Sequence, residues 1–248
     1  MLRILGYALW LVASGLQSAI GFRMWTRRLY RDYPLFFTYT INQLVRSLVL
    51  FYFYRLGIRD VYRDAYAGWE ALDAVLKFGV ICELFAHVFR RYAGIKEVGS
   101  IFLRWASVIL LLIAVIVAVS TSGSDSDRFL AGLFAMERSV ELVQGGLLFL
   151  LFVLSSCLGL QWEQLTLGIG LGFGAVTSVN LAAFTLRAQL GMASDDILSL
   201  ISTAGYECAV LIWLVALYAR KPVHQFNQHI PSWDVESWNR ALLELLRR

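Results

Sequence analysis

The stretch Trp69–Arg91, WEALDAVLKFGVICELFAHVFRR, has the length of a membrane span yet carries Glu70, Asp73, Lys77, Glu83 and His87. At about 100° of rotation per helical residue, Glu70, Lys77, Asp73, His87 and Glu83 fall at roughly 0°, 340°, 300°, 260° and 220°. They form one continuous polar arc. Ile81, Ala74, Phe85, Phe78, Phe89, Cys82, Val75 and Ala86 fill the opposite arc, from roughly 20° to 160°. Such a helix has an inside and an outside even within lipid, so the stretch predicts one wall of a bundle with a polar core.

The rest of the chain agrees with a bilayer as solvent. Hydrophobic residues make up 58% of 248 and charged residues 16%, against about 45–50% and about 25% in soluble domains. Mean hydropathy is +0.63. At roughly 20 apolar residues per span, this length predicts an all-α, polytopic membrane protein with seven transmembrane helices and leaves no room for a soluble catalytic domain. The spans are read at about 2–22, 34–54, 69–89, 101–119, 129–158, 165–186 and 197–218, so that residues 1–219 make the transmembrane bundle. Residues 220–248 then form a tail in which 232–248 reads as an amphipathic helix. There Val235, Trp238, Leu242, Leu245 and Leu246 share one face and Glu236, Arg240, Glu244 and Arg247 the other.

The first apolar run, MLRILGYALWLVASGLQSAIGF, has the outline of a secretory signal. Arg23, Arg27, Arg28 and Arg31 follow it at once, and a positive flank of that kind is held in the cytoplasm, so an uncleaved first span is expected. Arg and Lys divide unevenly between the two sides. Arg23, Arg27, Arg28, Arg31, Arg90, Arg91, Lys96, Arg104, Arg220, Lys221, Arg240, Arg247 and Arg248 lie on one, and Arg3, Arg55, Arg59, Arg63, Arg128 and Arg187 on the other. The positive-inside rule then puts the N-terminus outside and the C-terminus in the cytoplasm. The net charge of +4 follows from this loop bias and implies no nucleic-acid partner. Cys82, Cys157 and Cys208 sit in apolar stretches without metal-ligand spacing, so neither a disulfide framework nor a metal site nor any cofactor is expected.

Charge recurs inside other spans. Thr38, Asn42, Gln43 and Arg46 share an arc of span 2; Glu137, Arg138, Glu141 and Gln144 crowd the first half of span 5; Thr203, Tyr206 and Glu207 lie on span 7. The loop RLGIRDVYRDAYAG, residues 55–68, reads as an interfacial aromatic belt with solvated charges. A charge at mid-bilayer costs roughly 2.5–3.5 kcal/mol on insertion scales, so these residues are expected to face inward and pair. Counting 1.5 Å per residue, Arg46, Lys77, Glu141 and Glu207 reach similar depths, and the two cations are expected to meet the two carboxylates there. The candidate polar core is therefore Asn42, Arg46, Asp73, Lys77, Glu83, His87, Glu137, Arg138, Glu141, Gln144 and Glu207. In span 6, GIGLGFG pairs Gly168 with Gly172 and Gly170 with Gly174 at GxxxG spacing, which lets helix backbones approach closely in lipid. A phosphate-cradling loop would need a strand before it.

Seven spans with this orientation suggest the rhodopsins, but span 7 holds no lysine for retinal. Small seven-span sugar transporters rely on prolines within their repeats, whereas Pro34, Pro222 and Pro231 fall outside the spans. With WEALDAVLKFGVICELF, ERSVELVQGGLLFLLF and LGIGLGFG as its most distinctive pieces, the chain resembles uncharacterised bacterial seven-helix integral membrane proteins, a resemblance that implies no activity. No HExxH, GxSxG or paired-Asp motif occurs in the spans, so catalysis is not expected. Two functions fit the pattern. One is a receptor-like or scaffold module of the bacterial inner membrane, acting through a protein partner at the C-terminal helix or through a second copy of itself. The other is a proton- or cation-coupled transporter or channel that uses the intramembrane acids, since a surplus carboxylate in a low dielectric takes up a proton or a cation.

Overall fold

Apolar runs punctuated by short polar turns give α-helices wherever the chain is described. The computed structural model describes residues 2–56, 59–90, 101, 108, 126–157, 160–190, 195–219 and 224–225. Six helices follow in order: α1 Leu2–Thr26, α2 Pro34–Leu56, α3 Arg59–Val88, α4 Ser126–Cys157, α5 Gln164–Leu190 and α6 Asp195–Tyr218. A 3-10 turn at Leu29–Arg31 links α1 to α2. Among the described residues the fold is all-α apart from one two-residue antiparallel pair, β1 Gln161–Trp162 with β2 His224–Gln225.

Pro34 opens α2, where its missing N–H loses nothing and its fixed φ suits a helix start. The expected loop at 55–68 is corrected. Helix α3 already begins at Arg59, since 59–67 contains neither Pro nor Gly to break it. The fourth expected span lies outside the described residues except for Ile101 and Val108, both helical. So does the tail beyond 219 except for 224–225.

Among the described residues three helical segments are long and apolar enough to cross a membrane: Ser139–Cys157, Gln164–Leu186 and Ile197–Tyr218, with mean hydropathies of 1.9, 1.6 and 1.8. Less than half of each is buried inside the protein. Phe149, Val215 and Ile197 are 71%, 66% and 64% exposed, an apolar surface that water would oppose and lipid favours.

By its contacts the chain divides into two units, Met1–Val80 with Leu171–Tyr218, and Ile81–Gly170 with Ala219–Arg248. In the first, α1 packs against both α2 and α6. Its centre is aromatic: Trp213 of α6 meets Phe36 edge-on at 5.3 Å, Tyr39 edge-on at 6.0 Å and Phe173 at 5.0 Å between ring centroids. Gly172 makes room for that tryptophan, since a Cβ there would stand 2.1 Å from Trp213 Nε1. One of the glycines in the GxxxG run thus admits a large buried ring to the α5 backbone. The second close approach of these helices was not legible in that run: a Cβ on Gly205 of α6 would come within 2.8 Å of Val179. In the second unit, Trp162 stacks on Phe152 at 5.1 Å, and Gly170 lies beneath both rings, 3.3 Å from Phe152 and 3.5 Å from Trp162 at its Cβ position.

Candidate functional site

The polar residues of α2 and α3 in the first unit join into one cluster. Arg46 lies midway along α2 and donates from Nη2 to Glu70 Oε1 of α3 in a close ion pair, while its guanidinium stands 5.5 Å over the Tyr66 ring. One turn further along α3, Lys77 Nζ stands 2.9 Å from Asp73 Oδ2. The other oxygen, Asp73 Oδ1, accepts from Gln43 Nε2 of α2. Trp69 Nε1 donates to Asn42 Oδ1 at 3.2 Å, which ties the two helices together beside the ion pairs. Asp73 is buried, and the side chains of Lys77, Glu70 and Arg46 keep at most 19% exposure. Two cations thus balance two carboxylates in a largely dry place, where Coulomb attraction is stronger than in water but desolvation offsets much of it.

Beyond the cluster, Tyr206 of α6 accepts from Gln17 Nε2 of α1 at 2.7 Å, and Tyr206 and Tyr39, the latter one helical turn before Gln43 on α2, both lie edge-on to the Trp213 ring, at 6.2 and 6.0 Å. Each hydrogen bond satisfies a group that lipid or a dry core could not.

Glu207 differs from its neighbours. It is buried, yet its Oε2 has no hydrogen-bond partner among the described residues. Thr203, one turn away, uses its hydroxyl on its own helix, donating to the Ser199 carbonyl at 2.9 Å.

The sequence-predicted residues thus separate. Asn42, Arg46, Asp73 and Lys77 come together, and Glu207 lies in the same unit outside their ion pairs. Glu83, His87, Glu141 and Gln144 belong to the second unit, where Glu83, Glu141 and Gln144 are buried and His87 Nδ1 lies 2.9 Å from the Glu83 carbonyl, a contact it makes as an N–H donor. Glu137 and Arg138 lie on α4, and their side chains are outside the described residues. The depth count did not single out the partners seen here: Arg46 pairs with Glu70 and Lys77 with Asp73. Depth along a helix does not fix the direction in which a side chain points, and a carboxylate four residues away on the same helix is always within reach. Gln17, Tyr39, Gln43, Trp69, Glu70 and Tyr206 were absent from the predicted core. Glu70 and Gln43 did stand on the polar arcs of their helices, a signal strong enough to have included them.

Among the described residues no three His, Cys, Asp or Glu side chains gather as a metal site would require. No protein-family model, curated protein or solved structure matches the chain.

Proposed function

We propose that this is a non-catalytic, multi-pass protein of the bacterial inner membrane, a receptor-like or scaffold module with seven spans, its N-terminus outside and its C-terminus cytoplasmic. The observation that carries this is the mutual compensation of charge on α2 and α3, where Arg46 and Lys77 take up Glu70 and Asp73, while a hydrogen bond from Gln17 to Tyr206 joins α1 to α6. Polar groups spent on one another fix helix positions. Output then passes to a partner, for which the amphipathic segment 232–248 is the contact surface. Deleting 232–248 leaves the helices folded in membranes and abolishes recovery of the partner in a pull-down; unchanged recovery contradicts the proposal.

A second reading, proton- or cation-coupled transport, is favoured by Glu207, whose Oε2 is buried and unpartnered among the described residues. A carboxylate so placed is completed by a proton or a cation. In liposomes, transport would appear as pH- or potential-dependent flux that Glu207→Gln abolishes. Absence of flux for protons, sodium and potassium removes this reading.

A further inference from the structure

At the end of the first unit where α1 stops and α2 starts, four arginines stand within nine residues: Arg23, Arg27, Arg28 and Arg31. Two are committed locally. Arg27 Nη1 donates to the Leu217 carbonyl at 3.3 Å, meeting an unsatisfied acceptor in the last turn of α6. Arg23 lies 4.7 Å over the Tyr218 ring, and its Nε is buried with no hydrogen-bond partner among the described residues. Arg28 and Arg31 are exposed, the latter with its guanidinium 6.0 Å over the Tyr30 ring, and among the described residues no carboxylate pairs with any of the four. The acid in this segment, Asp32, is itself exposed.

Arg28 has φ 55° and ψ 21°, a left-handed turn that glycine would hold with less strain. The backbone there gains nothing from an arginine. Around the cluster the surface is aromatic and outward-facing: Phe22 and Trp25 are 70% and 62% exposed, and Trp25 stacks on Tyr30 at 5.3 Å. Exposed aromatic rings beside unpaired guanidinium groups match the boundary between acyl chains and headgroups.

We propose that this cluster binds the phosphate of an anionic phospholipid headgroup, with the exposed Arg28 and Arg31 as the outer forks and Arg23 holding the inner position. Guanidinium forks fit phosphate oxygens in pairs, and the flanking rings favour a lipid over a nucleic acid or an acidic protein. This rests on the membrane assignment above. The test is thermal unfolding of the full chain in neutral detergent with added phosphatidylglycerol, phosphatidylcholine or inorganic phosphate, together with incorporation into bilayers. Phosphatidylglycerol raises the midpoint and phosphatidylcholine does not. The apparent lipid affinity falls about fivefold per arginine removed, for Arg31→Gln alone and further for Arg28→Gly with Arg31→Gln, while Arg90→Gln leaves it unchanged. Arg28→Gly keeps the turn, so a loss of lipid response without a loss of basal midpoint assigns the effect to the side chain. Equal response to both lipids, an unchanged response in the double variant, or protection by inorganic phosphate alone overturns the proposal. A chain that fails to enter bilayers overturns the membrane assignment and this inference with it, whereas one that enters and ignores headgroup charge overturns the inference only.

Discussion

Asp73 and Glu207 are both buried carboxylates of the first unit, 3% and 8% exposed, and they meet opposite fates. Asp73 has Lys77 one turn along its own helix and Gln43 across on α2, so both of its oxygens are satisfied. Glu207 has Thr203 and Ala204 before it and Val210 and Leu211 after it at helical spacing, none of them cationic, and one oxygen remains bare. Burial alone therefore does not decide whether an acid is compensated. What separates them is whether the same helix face supplies the counter-charge.

The largest expected effect comes from breaking the satisfied side. Asp73→Ala leaves Lys77 and Gln43 without this carboxylate, and loss of one partner from a buried pair destabilises by about 3 kcal/mol, read as a lowered midpoint for unfolding in mixed detergent micelles. Next is Gly172→Ala. The added methyl collides with the Trp213 ring, and overpacking of this kind costs about 2 kcal/mol, together with a change in tryptophan fluorescence as the ring is displaced. Tyr206→Phe removes the hydroxyl that accepts from Gln17, at about 1 kcal/mol. Smallest is Glu207→Gln, which removes an uncompensated charge and leaves the midpoint unchanged or slightly raised. If Glu207→Gln instead destabilised the protein as much as Asp73→Ala, the contrast between the two acids would collapse.

Much of this was written in the residues. The polar arc of α3 at helical period identified Asp73 and Lys77, and Glu70 on the same arc proved to be the partner of Arg46. Helix existence followed from apolar runs; the glycine spacing pointed to backbone approach, whereas at Gly172 it is the Trp213 ring that comes close. The pairing did not follow, because period and depth locate a residue on its own helix while the partner depends on how neighbouring helices are rotated. Gln17 and Tyr206 show the same gap: their bond exists because α1 and α6 pack together, which neither residue's own helix reveals. The start of α3 at Arg59 was hidden by tyrosines and alternating charge, which suit an interfacial loop and a solvated first turn equally well. Gly205, four residues before Ala209, carried a small-residue spacing that the richer glycine run overshadowed.

The central claim is that the charges of α2 and α3 are spent on each other, and a double-mutant cycle on Arg46 and Glu70 tests it most directly. With Arg46→Ala, Glu70→Ala and the double variant compared by unfolding midpoint, each single change should cost about 3 kcal/mol and the double little more than either one. Costs that simply add would mean that the pair carries no coupling and that Arg46 and Glu70 answer to something else.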